Sequence, residues 1–222
     1  MHNTVPLKRA FGLDHGTLID ETATVEALSR VDPVRVAQPV EVTWTGRRSD
    51  VIPAMVGFRS DDILVSDALY VRLEGARLAP HFVLTATCTK SDTWGMRALG
   101  APAPFRWIGW TERRALEQRI DWALSSFVVR EQARPVDGIW EDGARRVTSF
   151  RDRAAFDAES RAAFERSAQI IARHVEWLDP SLDDLDLFYL PMVGDTYVSG
   201  RLARKLSSSP KLRGFQLIAD HA

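Results

Sequence analysis

The chain has 222 residues, of which 45% are hydrophobic and 27% are charged, and its net charge is -1. This composition excludes a disordered protein, because the apolar fraction is too high and the net charge too low. The single cysteine excludes an internal disulfide and a zinc site of four cysteines. The balanced charge argues against a nucleic-acid partner, because dedicated nucleic-acid-binding proteins usually carry a strong basic excess.

Runs of apolar and β-branched residues in the first 90 positions predict short strands. These strands are predicted at residues 34–36, 40–44, 51–58, 61–65 and 82–87. Ser66 is suited to be the N-cap of a helix, since Leu69 and Leu73 follow it on one helical face. The beginning of the chain therefore reads as strands interrupted by one short helix.

Prolines and glycines are spread through residues 91–110 and 135–143, which predicts two irregular loops. These loops carry the tryptophans Trp94, Trp107, Trp110 and Trp140. Tryptophans in loops either pack against the core or anchor a binding surface. Both interpretations stay open at this point.

The second half of the chain reads as more helical. A helix is predicted from Thr111, and a long amphipathic helix is predicted over residues 152–178, ended by Pro180. Strands at 185–190 and 215–218 and a strand-to-helix segment at 197–206 complete the pattern. The expected class is α+β, with one or more mixed sheets and the long amphipathic helix.

Two segments resemble each other at an offset of 133 residues, which predicts two similar strand-helix-strand units. The matched pairs are Asp62 and Asp195, Val65 and Val198, Ser66 and Ser199, Leu69 and Leu202, Leu73 and Leu206, Phe82 and Phe215, and Leu84 and Leu217. In each unit a serine would cap a two-turn helix that packs through its leucines. Chance similarity is the alternative, because two degenerate copies are few.

We expect one domain over residues 1–222, or two packed halves over 1–95 and 105–222. No stretch approaches the roughly 18 apolar residues of a membrane span. Residues 1–13 lack the apolar core of a signal peptide. The expectation is therefore a cytoplasmic protein with no membrane partner.

The second copy carries a family resemblance. Leu-Phe-Tyr-Leu at 187–190, Tyr-Val-Ser-Gly-Arg-Leu at 197–202 and Leu-Arg-Gly-Phe at 212–215 resemble the end of a bacterial immunity-protein family, whose members neutralise polymorphic toxins delivered between competing cells. The sequence departs from that family at Gly200, where an acidic or polar residue is more usual. The resemblance implies a non-enzymatic protein without a cofactor, which binds and occludes a cognate toxin.

An acidic segment precedes a basic one near the end of the chain. The acidic residues are Asp179, Asp183, Asp184 and Asp186, and the basic ones are Arg201, Arg204, Lys205, Lys211 and Arg213. The two runs are either solvated and paired with each other, or the acidic run faces a basic toxin. The predicted toxin-binding residues are Asp179, Asp183, Asp184, Asp186, Trp107, Trp110 and Trp140.

Sequence motifs of common enzymes are absent, including the nucleophile elbow, the P-loop, the dinucleotide fingerprint and the zinc-protease motif. Cys88 reads as a small buried hydrophobe. His174 and Glu176, two apart on the predicted helix, would not share a face to bind a metal. Two alternatives to the immunity function stay open: a hydrolase or transferase with a pocket between two halves, and a structural subunit of a phage or secretion apparatus.

Overall fold

The computed structural model describes residues 4–9, 16–18, 39–44, 49–54, 62–90, 98–132, 142–193, 195–208, 212 and 215–217. The strands are β1 (Thr4–Arg9), β2 (Gly16–Leu18), β3 (Val40–Trp44), β4 (Val51–Ala54), β5 (Asp62–Ser66), β6 (His81–Lys90), β7 (Ala103–Trp110), β8 (Ser126–Gln132), β9 (Asp142–Thr148), β10 (Ala168–His174), β11 (Leu187–Leu190), β12 (Asp195–Ser199) and β13 (Phe215–Leu217). The α-helices are α1 (Asp67–Arg72), α2 (Arg113–Glu117), α3 (Arg153–Glu165) and α4 (Gly200–Ser207). Among these residues no helix has the length and apolarity needed to cross a membrane.

The described strands form three sheets, and the predicted α+β class is confirmed. Six strands form a closed sheet in the order β2-β3-β6-β7-β5-β4, in which β2 also pairs with β4. A four-stranded sheet has the order β11-β12-β1-β13, and a three-stranded sheet has the order β10-β8-β9. The closed sheet is mixed, because β3 runs parallel to β6 whereas β6 and β7 are antiparallel.

The two predicted strand-helix units are confirmed, and their serine caps have the same geometry. Ser66 Oγ accepts a hydrogen bond from the backbone N–H of Leu69 at 3.2 Å. Ser199 Oγ accepts one from the N–H of Leu202 at 3.1 Å. Both leucines are buried, so each cap starts a helix that packs through its apolar face onto the adjoining sheet.

The likeness extends beyond the predicted segments to four strands. The order β4-β5-β7-β6 in the closed sheet matches β11-β12-β1-β13, and all neighbours in both sets are antiparallel. We call β4, β5, α1, β6 and β7 the first unit, and β11, β12, α4, β13 and β1 the second unit. The second unit therefore takes its third strand from the other end of the chain.

Pairing register corrects one part of the predicted repeat. In the first unit, Ile108 is paired with Ile63 on one side and with Val83 on the other. In the second unit, Leu7 is paired in the same way with Thr196 and Leu217. Leu217 thus corresponds to Val83, one residue before its predicted match, Leu84. Counted from the matched leucine at the end of the helix to these paired residues, the segment that joins the helix to the following strand is one residue longer in the second unit than in the first. A shift of one residue along a strand moves each side chain to the opposite face of the sheet.

The long helix predicted over 152–178 is correct in its first half and wrong in its second half. Asp152 caps α3 by accepting from the N–H of Ala155 at 2.8 Å, but the helix ends at Glu165. Ser167 then adopts a positive φ of 56°, which ends the helical path. Residues 168–174 form β10 beside β8, since their β-branched pair Ile170 and Ile171 suits a sheet.

Two other predictions of local structure are wrong for a similar reason. Residues 103–110, taken as part of a loop, form β7, which lies between β5 and β6. The helix predicted from Thr111 is only α2, and the chain enters strand β8 at Ser126. In both cases pairing with strands distant in sequence decides the conformation, which local composition does not reveal. The strand predicted at 34–36 lies outside the described residues.

The buried apolar residues form two clusters. The smaller lies within the closed sheet and contains Val42, Leu84, Cys88 and Trp107. The larger contains residues of both units and the aromatic group around α3, which comprises Trp122, Phe127, Phe150 and Phe156. The division into halves at 1–95 and 105–222 stays a prediction, although β1 and the larger cluster connect the two.

Candidate binding surface

Residues 178–184, which we call the acidic loop, form a turn anchored by apolar residues. Leu182 is buried within it, and Leu185 is buried immediately after it. Asp179 accepts a hydrogen bond from the N–H of Ser181 at 2.9 Å and thereby caps the 3-10 turn Pro180–Leu182. Because its backbone is fixed in this way, the loop presents its side chains from a defined position.

The acidic loop begins with an exposed apolar side chain. Leu178 is 63% exposed, and its N–H donates to the carbonyl of Arg119 at 2.7 Å. Asp184 is also largely exposed, with 73% of its side-chain surface accessible. An exposed apolar residue beside charged groups has the composition of an interface centre with its polar rim.

Arginines from two other segments partly balance the acidic loop. Arg119 lies 3.7 Å from Asp179, and Arg77 lies 4.0 Å from Asp184. Hydrogen bonds from Ser181 and the charge of Arg119 hold the pKa of Asp179 below its ordinary value, so this carboxylate is ionised at neutral pH. Asp183 makes no ion pair with any residue that the structure describes.

Asp186 does not belong to the exposed surface, which corrects its predicted role. The residue is 2% exposed and accepts hydrogen bonds from Ser199 Oγ at 2.6 Å, Arg201 Nη2 at 2.7 Å and the N–H of Arg77 at 3.1 Å. Burial alone would raise its pKa, but these hydrogen bonds and the charge of Arg201 hold the pKa below the ordinary value. Here the acidic and basic runs pair with each other.

Asp50 is the counterpart of Asp186 in the first unit. Ser66 Oγ donates to Asp50 Oδ1 at 2.5 Å, and the Ser66 N–H donates to the Asp50 carbonyl at 2.9 Å. The Ser199 N–H contacts the carbonyl of Asp186 in the same way at 2.8 Å. Each aspartate thus joins the start of one strand to the helix cap that follows the next strand.

The predicted aromatic anchors Trp107 and Trp110 are not at the surface. They lie in β7 with 0% and 3% exposure, so a partner protein has almost no access to them. Trp107 Nε1 donates to Asp62 Oδ2 at 2.9 Å, and the N–H of Trp110 donates to Asp62 Oδ1 at 3.2 Å. The Trp107 indole therefore has its hydrogen-bond partner within the fold. Trp94 and Trp140 lie outside the described residues.

The residues considered for catalysis have structural surroundings. Cys88 is 0% exposed, and burial raises its pKa to about 12, so it is a thiol rather than a nucleophilic thiolate at neutral pH. His174 Nε2 lies 3.0 Å from Glu176 Oε2, because this segment is extended rather than helical as predicted. Among the described residues no group of three or more potential ligands could hold a metal ion.

Some residues of this surface were not found from the sequence. Leu178 was assigned to the apolar face of the predicted helix, whereas it is exposed beyond the end of β10. Arg77 and Arg119 lie far from the acidic loop in the chain, so no spacing indicates their proximity. The proline at 180 was the useful local signal, because it marks the 3-10 turn that holds the loop.

Comparison with models of known protein families finds none that matches this chain, and a search of curated proteins also finds no match.

Proposed function

We propose that the chain is an immunity protein that binds a cognate antibacterial toxin and neutralises it by occlusion. The resemblance at 187–190, 197–202 and 212–215 supports this function, and those residues contribute to β11, β12, α4 and β13 of the second unit. The observation that carries the proposal is the acidic loop, in which exposed Leu178 directly precedes Asp179 in the chain and Asp184 is also largely exposed. Such a surface suits a basic protein with an apolar contact at its centre.

The acidic loop would contribute mainly to the rate of association and to the choice of partner. Exposed charges act over distances near 10 Å at moderate salt, so they steer a basic surface before contact is made. We therefore expect toxin binding to weaken as ionic strength rises. Leu178 would contribute to the slower dissociation of the complex, since apolar groups lose their hydration only at contact.

The experiment joins survival with affinity. If the neighbouring gene encodes a toxin domain, the chain is co-expressed with that domain, and survival is compared with that of cells carrying the toxin alone; the absence of such a gene would count against the proposal. The Asp183→Lys, Asp184→Lys double variant is expected to bind the purified toxin at least about tenfold more weakly than the original chain. The matched control is Glu112→Lys, Glu165→Lys, which reverses the same number of exposed charges on other elements.

The outcomes test the acidic loop as the binding surface separately from the immunity function. Protection by the original chain with equal affinity in both double variants would exclude the acidic loop as the binding surface. Failure of the original chain to protect or to bind the toxin would exclude the immunity function itself. Circular dichroism of each variant checks that the fold is retained.

A further inference from the structure

A cavity of about 470 Å³ lies beside the end of α1, and none of its described lining residues belongs to the acidic loop. Its described lining residues include Tyr70, Leu73, Leu78 and His81, together with the acidic residue Glu74. The volume lies in the range of small-molecule sites, roughly 300–1,000 Å³. Val71, which is 62% exposed, also lines the cavity, so the cavity opens to solvent on that side.

The two aromatic walls are held by contacts outside the cavity. The Arg106 guanidinium lies over the Tyr70 ring at 5.7 Å, and Asp67 fixes Arg106 through a 3.0 Å hydrogen bond. His81 makes an edge contact with Trp110, with ring centroids 6.5 Å apart. Because these side chains are already fixed, a ligand would lose little affinity to ordering them.

Two side chains that line the cavity, Glu74 and His81, contain hydrogen-bond acceptors. His81 Nδ1 lies 2.9 Å from the carbonyl of Ala79, which can only accept, so Nδ1 carries a proton and Nε2 can accept whenever the ring holds no second proton. The Glu74 carboxylate has no ion pair with any described residue, and no lysine or arginine is among the described residues that line the cavity. Lys205 Nζ donates to the Glu74 carbonyl at 3.0 Å, so an ammonium group already binds the backbone at this rim.

We propose that this cavity binds a small organic cation, namely a primary amine attached to an aromatic or branched apolar body. The ammonium would lie at Glu74 and His81 Nε2, and the apolar body would contact Tyr70, Leu73 and Leu78. Glu74 and His81 are exposed whereas Leu73 is buried, so the lining offers polar groups toward solvent and apolar groups within, which matches the polarity of such an amine. This site is independent of the proposed toxin binding.

Three probes of nearly the same shape test the sign of the charge. Binding of tryptamine, neutral 3-ethylindole and indole-3-propionate to the full chain is measured by calorimetry and by NMR of the His81 ring. Tryptamine is expected to bind at least about tenfold more tightly than indole-3-propionate and to shift the His81 signals. Equal affinities for the cation and the anion, or no binding of tryptamine, would overturn the proposal.

Two variants assign the site. Glu74→Gln is expected to weaken tryptamine binding about tenfold while leaving 3-ethylindole unchanged, because it removes only the charge. Val71→Trp places bulk at an exposed position and is expected to weaken all binding by filling the mouth of the cavity. The control Glu112→Gln should change neither the affinity for tryptamine nor the affinity for 3-ethylindole. Tryptamine binding that persists unchanged in both Glu74→Gln and Val71→Trp would also refute the proposal.

Discussion

The burial and the role of individual side chains in this protein often depend on partners that are distant in the sequence. Asp186 lies in an acidic run of the sequence, yet in the fold it is a buried acceptor for Ser199, Arg201 and the backbone of Arg77. Trp107 lies among prolines and glycines, yet it is buried against Asp62. The sequence shows whether each side chain is polar or apolar. Whether that side chain is buried depends on which strands pair around it, and the sequence does not show this.

Replacing Asp186 tests how much this carboxylate stabilises the fold. We expect Asp186→Asn to lower the free energy of unfolding by about 2 kcal/mol at pH 7, since it removes charged hydrogen bonds to a buried group. Because the pKa of Asp186 is lowered in the folded state, this stabilisation is present above its ordinary value of 3.8 and is lost as pH falls toward the lower folded value. Urea unfolding of both proteins between pH 7 and pH 3 measures the difference.

The control for this prediction is Asp183→Asn, which removes a carboxylate that has no ion pair among the described residues and should change stability by less than about 0.5 kcal/mol. A difference between Asp186→Asn and the original chain that stays constant down to pH 3 would contradict the ionic role of Asp186.

Gly109 shows a second dependence on a single neighbour. It pairs with Phe82 across β6 and β7, and a Cβ atom placed on it would overlap the Phe82 ring. We expect Gly109→Ala to lower the free energy of unfolding by about 2 kcal/mol, because the ring must leave its packed position. Gly100→Ala is the matched control, since a Cβ there meets nothing within 4 Å. Equal melting curves for the two variants would argue against this packing.

Elements are set by the competition between local propensity and sheet pairing. The serine caps were predicted from the sequence, and Ser66 and Ser199 do cap helices; Asp152, predicted only as the start of the long helix, also caps its helix. The segment after Glu165 was read as helix because its apolar spacing fits one, but it pairs with β8 instead. The predictable part of the fold was therefore the helix starts and the short strands near them, whereas partner choice required the structure.

Ser167 is the point at which helix gives way to strand. Its φ of 56° is costly for a residue with a side chain, so Ser167→Gly is expected to raise the free energy of unfolding by about 0.5–1 kcal/mol. Ser167→Val should lower it by at least about 1 kcal/mol, because a β-branched residue fits that conformation poorly. Thermal unfolding of both variants measures this, and a reversed order of stabilities would be inconsistent with the turn.

At the scale of the molecule, the candidate surface was predicted in part. The sequence indicated Asp179, Asp183 and Asp184, which do lie together in a turn held by Pro180. It did not indicate that Arg77 would lie near Asp184 and Arg119 near Asp179, or that Leu178 would be exposed. These contacts join segments that are distant in the chain, and one sequence contains no direct record of such distances.

The first and last described strands, β1 and β13, are paired side by side. Joining residue 222 to residue 1 would connect β13 to β1 through the eight residues 218–222 and 1–3, as a hairpin like the one between β6 and β7. A circular permutant opened between Gly100 and Ala101, both exposed, would then begin with β7. The first unit would take its third strand from the start of the chain, and the second unit would become continuous.

We expect this permutant to fold with an unchanged circular dichroism spectrum and with stability within about 2 kcal/mol of the original, because loop closure depends only weakly on length. An insoluble or unfolded permutant would mean that the two units cannot exchange roles. A folded one would show that the order of strands along the chain is separable from their order in space.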